Sequence, residues 1–379
     1  MANYFDYLQW RGDLPFSLVP PCEADKLILS QLSYIFFDGI VPELGTNESI
    51  PLGEAAQRVL DVSADIKEKQ QVGYLWADDK KLLEHILSSP RYTGLAVGNY
   101  RSVLLEDTQF AALTFALPNN LTCISFRGTD GSLVGWKEDC ALAFSEPVPA
   151  QRISVDYVKQ IAEITSDRLL VVGHSKGGNM ACYACACVPE EVQDRIEAVV
   201  SCDGPGLDRS VLQMDGYRRI VSRVEKFVPQ SSVVGMLLES EDNYTVIKSD
   251  GVGILQHYTS SWQIVRGSFQ RVEQPTQTSR YINHVIKEWL DDMSVDKRRA
   301  FVNALFDVLE KANLKSIDEI DARFFFNLPG AFLKSYAGEP ETVSTLYHEL
   351  RALVMTALKA LSEGKPDGKP DGNTSLAPK

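Results

Sequence analysis

The run Leu169-Leu170-Val171-Val172, followed at once by Gly173-His174-Ser175-Lys176-Gly177-Gly178, constrains the fold more than any other stretch of this 379-residue chain. A short, continuously apolar run suits a central parallel strand buried on both faces. Glycines two residues either side of Ser175 permit a sharp strand-to-helix turn, and the small residues from Met180 to Cys187 suit a helix packed closely on a sheet. Such a turn lifts a serine hydroxyl to the C-terminal edge of the sheet and aims a helix N-terminus at it. The competing reading of a bare G-x-S-x-G match is a glycine-rich turn with a structural serine. The buried strand before it and the helix after it favour a nucleophile elbow, with Ser175 as nucleophile and the Lys176 backbone N–H as one donor to an oxyanion.

Around this centre, strand and helix signals alternate. Asp25 is a candidate N-cap for a helix carrying Leu27, Leu29, Leu32, Ile35 and Phe36, and Asp79 to Leu87 repeats apolar residues at helical spacing. Strand patterns follow at Leu95 and Val97, Phe110 to Ala116, and Cys123 to Phe126, then a helix from Ile153 to Ile164. Past the elbow come strands at Ala198 to Ser201, Ile220 to Val228 and Tyr244 to Lys248. Alternation of this kind implies parallel pairing through crossovers, hence an α/β fold. Beyond Ser279 the pattern is helical, in Tyr281 to Leu290, Val295 to Leu314 and Thr342 to Leu361, and Lys-Pro-Asp-Gly then repeats between Lys365 and Gly372. The expected organisation is an N-terminal helical segment (1–93), an α/β core (94–278), a helical C-terminal region (279–362) and a disordered tail (363–379).

Composition narrows the partners. A net charge of -13 repels phosphate backbones and anionic lipid surfaces, so nucleic-acid binding is a poor expectation. No stretch of about twenty apolar residues is present to span a bilayer, and no basic-then-apolar leader opens the sequence. Seven cysteines, three of them crowded at 182, 185 and 187, are unlike a secreted disulfide framework and point to a reducing cytoplasm. Small buried thiols packing a helix on a sheet explain that cluster better than a metal site.

Upstream of the elbow, Ser125-Phe126-Arg127-Gly128-Thr129-Asp130 ends a strand and is followed by Trp136 and Asp139. Together with Gly173-His174-Ser175-Lys176-Gly177-Gly178, this resembles the class 3 (fungal-type) lipase family of α/β-hydrolases, in a bacterial branch of it, over roughly residues 94 to 270. The resemblance implies an α/β-hydrolase fold with a mostly parallel sheet. It also implies that Thr129 supplies a second oxyanion donor opposite Lys176.

A serine needs a base, and α/β-hydrolases place it after the nucleophile and the acid in chain order. Of five histidines, His257 and His284 satisfy that order, and His257 lies in a loop after the last strand signals whereas His284 sits in a regular helical pattern. His174, inside the elbow, is expected to point away from the serine. The family's acid precedes a Val-Pro, but here that place reads Glu225-Lys226-Phe227-Val228-Pro229. Asp203, at the end of the strand after the elbow helix, is the replacement preferred here, with Glu225 and Asp250 as alternatives. Lys176 also departs from the family, and a cation beside the nucleophile suggests a more polar substrate than bulk triglyceride.

These readings lead to a serine hydrolase of carboxylic esters, acting on a small-molecule or lipid ester without metal or organic cofactor. A non-catalytic scaffold of the same fold and an acyltransferase are the alternatives. The apolar segment from Gly131 to Ala150 is either a lid over an acyl site or a fixed part of the core.

Overall fold

The computed structural model describes residues 2–66, 77–144, 147–238, 244–291 and 293–311. The helical pattern at Thr342 to Leu361 and the 363–379 tail lie outside the described residues. Five helices belong to the N-terminal segment: α1 (Tyr4–Arg11), α2 (Glu23–Leu32), α3 (Leu52–Ile66), α4 (Ala77–Leu87) and α5 (Pro90–Thr93). Cys22, not Asp25, is the N-cap of α2; Asp25 is the third helical residue, and its carboxylate accepts from the Cys22 N–H at 2.8 Å.

Eight strands form one sheet in chain order: β1 (Ser49–Pro51), β2 (Ala96–Leu104), β3 (Gln109–Leu117), β4 (Leu121–Phe126), β5 (Arg168–His174), β6 (Ile196–Cys202), β7 (Val224–Pro229) and β8 (Thr245–Ile247). From β1 to β4 neighbours pair antiparallel, and from β4 to β8 they pair parallel. Parallel neighbours require crossovers. These are α6 (Leu133–Ala141) and α7 (Pro149–Ile164) before β5, then α8 (Lys176–Cys187) and α9 (Glu190–Gln193) before β6, then α10 (Arg209–Leu212) and α11 (Asp215–Ile220) before β7. A short hairpin, β9 (Ile264–Val265) and β10 (Ser268–Phe269), precedes α12 (Gln277–Asp291) and α13 (Val295–Lys311).

Side-chain alternation on the strands builds two cores. Leu170 and Val172 of β5 pack with Leu113, Phe115, Cys123, Ala198 and Val200 under the N-terminal helices. Leu169 and Val171 face the other way, with Ile124, Phe126 and Val199, beneath α7 and α8. The central strand is thus covered on both sides, which is why it reads as an unbroken apolar run. Burial of each such side chain stabilises by roughly 1.5–3 kcal/mol. The N-terminal segment forms one of the two layers covering the sheet and supplies the edge strand β1. It is fastened by Asp25, whose carboxylate holds Arg91 (2.8 and 2.7 Å), Tyr92 (2.6 Å) and Tyr7 (3.0 Å) with every partner buried.

Helix α6, in the segment expected to be a lid or core, is bolted to the sheet from beneath. Glu138 is buried and accepts from the backbone N–H of Gln109 (3.0 Å) and of Ala150 (2.8 Å). From outside, Arg298 of α13 donates to the Ala143 carbonyl at 2.8 Å. Among its described residues Leu133, Leu142, Val148 and Ala150 are buried, while Val134, Trp136, Ala143 and Phe144 are partly exposed.

Candidate active site

The strand β5 delivers Ser175 at φ 56°, ψ -131°, a backbone conformation that costs a non-glycine residue about 1–3 kcal/mol and persists only where neighbours enforce it. The enforcement is visible. The Ser175 N–H donates to the Cys202 carbonyl at 3.0 Å, and its carbonyl accepts from Gly178 at 2.9 Å as α8 begins. A Cβ on Gly173 would lie 2.2 Å from the Gly177 carbonyl, and one on Gly177 would lie 2.2 Å from the Phe126 carbonyl oxygen. Only glycine lets strand, turn and helix close this tightly. The hydroxyl makes no capping bond to its own helix, so it remains available for other partners.

Asp203 follows β6 directly, at φ 50°, with its N–H held by the Phe227 carbonyl at 2.8 Å. Its Oδ2 lies 2.6 Å from His257 Nδ1, and its Oδ1 accepts from Ser232 Oγ at 2.5 Å. The carboxylate is 1% exposed, whereas the imidazole side chain is 24% exposed. His257 ends a 3₁₀ helix, Gly253–His257, in which Leu255 is exposed, as are Val252 and Tyr258 on either side of it. Trp262 locks the loop from below, fully buried and donating to the Gln256 carbonyl at 2.8 Å. Residues near the start of the described chain hold its far side: Asn3 Nδ2 donates to the Ser260 carbonyl (2.8 Å), and the Ile264 N–H donates to the Ala2 carbonyl (2.9 Å).

The alternative acids lie elsewhere. Glu225 pairs with Lys26 at 2.7 Å, and Asp250 accepts from Gln263 at 2.5 Å. His284 is exposed on α12, 3.2 Å from Glu288.

Thr129 lies in the loop just past the end of β4, beside the elbow. A Cβ on Gly128 would come within 3.0 Å of the Ser175 Cβ, so the strand end and the serine are in direct apposition. The Thr129 hydroxyl is bonded to Asp139 Oδ2. Burial pushes the Asp139 carboxyl up to about 6, with the Lys176 charge and the Thr129 bond pulling back toward ionisation.

One expectation changes here. Lys176 does not present a cation to substrate: its side chain runs inward, fully buried, and donates to Glu138 (3.0 Å), Gln109 Oε1 (2.7 Å) and the Gln109 carbonyl (2.9 Å). A polar substrate therefore does not follow from that charge. His174, expected to point away from the serine, meets the candidate base. Its ring centroid is 4.5 Å from that of His257, its Nε2 is 2.9 Å from the His257 carbonyl oxygen, and its Nδ1 is 2.8 Å from the Tyr34 hydroxyl. The sequence reading missed Tyr34 and Ser232 altogether.

A sheet of this order, with a serine elbow after its central strand, a carboxylate–imidazole pair beside it and helices on both faces, defines a lipase-like α/β-hydrolase. The Mbeg1-like family model matches residues 86–307, and the chain belongs to the Mbeg1-like family. The match runs past the sheet into α12 and α13. A search of curated proteins returned no match. Among solved structures, M37 lipase aligns at 11% identity with a TM-score of 0.35, over 71% of this chain and 94% of that one. Among the described residues, no helix is long and apolar enough to cross a membrane.

Proposed function

We propose that this protein hydrolyses carboxylic esters through an acyl-enzyme intermediate, with Ser175 as nucleophile, His257 as general base and Asp203 as the acid that orients it. The observation that carries this reading is the 2.6 Å contact between His257 Nδ1 and Asp203, set beside an elbow serine held at positive φ. In this scheme the Nδ1–H donates to Asp203, leaving Nε2 as the lone-pair face that takes the Ser175 proton. Attack on the ester carbonyl forms a tetrahedral oxyanion, for which the Thr129 and Lys176 backbone N–H groups are the donors. His257 then protonates the leaving alcohol, and water repeats the cycle on the acyl-enzyme. The exposed Val252, Leu255 and Tyr258 around His257 favour an ester with an apolar acyl part. Lys176 serves through its backbone alone, so the charge on its side chain does not argue against a lipid-like substrate.

The test is a fluorophosphonate probe with p-nitrophenyl ester hydrolysis. The wild-type protein is expected to label and to turn over, and Ser175→Ala to do neither while melting within a few degrees of wild type. Turnover surviving in Ser175→Ala removes the nucleophile. No labelling and no turnover in the wild type leaves a non-catalytic scaffold, and ester consumption without free acid points to acyl transfer.

A further inference from the structure

The contacts of His174 form a chain that ends on the candidate base. A carbonyl oxygen can only accept, so the 2.9 Å contact to the His257 carbonyl requires the proton of His174 on Nε2. Burial and the neighbouring His257 hold His174 well below the usual imidazole range, so the ring is neutral and Nδ1 is bare. The Tyr34 hydroxyl, 2.8 Å away, therefore donates to Nδ1. Its alternative acceptor, the His174 carbonyl, is at 3.4 Å and is the weaker contact. Trp262 meets the same ring edge-on at 6.3 Å, which fixes its plane.

We propose that Tyr34 and His174 are positioning residues. Tyr34 selects the His174 tautomer that donates to the His257 backbone, and that donation sets the distance of the His257 imidazole from Ser175. The assignment rests on the reading of His257 as the base. Tyr34 follows α2, in the layer that covers the sheet and outside the matched family segment of 86–307. The N-terminal layer thus reaches the reaction centre by a defined hydrogen-bonded path. Without the Tyr34 hydroxyl, the His174 proton is free to move to Nδ1. Nε2 and the His257 carbonyl would then face each other as two acceptors, a repulsion that displaces the loop. A neutral His174 also matters electrically, because a second imidazolium 4.5 Å from His257 would oppose the charge that His257 acquires in the transition state.

The test uses the full chain with ¹⁵N-labelled histidine. At neutral pH, NMR is expected to show His174 neutral and protonated on Nε2, and Tyr34→Phe is expected to shift the ring resonances of His257. The same variant should lower kcat about tenfold with KM within twofold. His174→Gln, whose amide N–H can replace the donor to the His257 carbonyl, gives a background in which Tyr34→Phe should cost nothing further. An unchanged His257 spectrum in Tyr34→Phe overturns the proposal whatever the activity, as does an equal loss from Tyr34→Phe in both backgrounds. If the spectra follow expectation but no ester is cleaved and no probe is bound, the positioning path stands and the hydrolase reading fails. Should Tyr34→Phe not fold, the His174 tautomer in the wild type and the His257 spectrum of His174→Gln decide the matter: an Nδ1 proton on His174, or a displaced His257 in the Gln variant, overturns it.

Discussion

Ser232 donates to Asp203 Oδ1 at 2.5 Å, on the carboxylate oxygen opposite the one that meets His257. The same hydroxyl accepts from the Gly235 N–H at 3.0 Å, so the loop after β7 holds the carboxylate in plane. Hydrogen bonds to charged groups contribute about 1.5–3 kcal/mol. Ser232→Ala should therefore lower kcat about ten- to a hundredfold with little change in KM. Steady-state kinetics on a short-chain p-nitrophenyl ester check this, and an unaltered kcat would show that Asp203 is held without Ser232.

Asp203→Asn removes the negative charge that stabilises a His257 imidazolium and can turn an amide donor toward Nδ1, and a loss of about 10⁴ in kcat is expected by analogy with other triads. Glu225→Gln and Asp250→Asn, whose carboxylates are engaged with Lys26 and Gln263, should stay within twofold of wild type. Equal losses from all three substitutions would indicate a general effect on folding.

The Lys176–Glu138 pair is buried on both sides. Removing one member of such a pair strands the other charge and typically destabilises by about 3–5 kcal/mol. Urea denaturation of Lys176→Met should show a loss of that order, and adding Glu138→Gln should recover part of it. A stability unchanged by Lys176→Met would mean that α6 is held by other contacts.

Lys226, on β7, is 7% exposed, and among the described residues its ammonium has no hydrogen-bond partner. Burial lowers its pKa from 10.5 to about 8, so the unfolded chain binds the proton more tightly than the folded one. The resulting stabilisation is fully present above pH 10.5 and is lost as the pH falls through 8. The shift corresponds to about 3 kcal/mol. Lys226→Met should raise the melting temperature at pH 7 and flatten its rise between pH 8 and 10. A fall at pH 7 would mean the ammonium has a stabilising partner.

What was legible in the sequence was what is local. The elbow, its strand and its helix occupy twenty consecutive residues from Arg168 to Cys187, so pattern and glycine spacing sufficed. The Asp203–His257 contact joins residues 54 apart, and only the chain order of such folds pointed to it. Strand β1, three residues long, gives no alternation to read. Tyr34 meets His174 across 140 residues and belongs to no motif, and Ser232 lies in a loop whose only signal is polarity. Lys176 misled for a physical reason: lysine is ordinarily a surface residue, and its inward course depends on Glu138 waiting 38 residues upstream.

The bond from Asn3 to the Ser260 carbonyl spans 257 residues. During synthesis at about 5–20 residues per second, residues 2–34 therefore emerge roughly 10–50 s before the loop they grip. On a nascent chain the turn at Ser175 and the partners Asp203 and His174 are all made before the imidazole at 257. Ribosome-bound fragments ending short of residue 264 lack the Ala2–Ile264 tie as well. The proposed site is thus complete only after residue 257 has been translated, whatever the state of the serine turn before it.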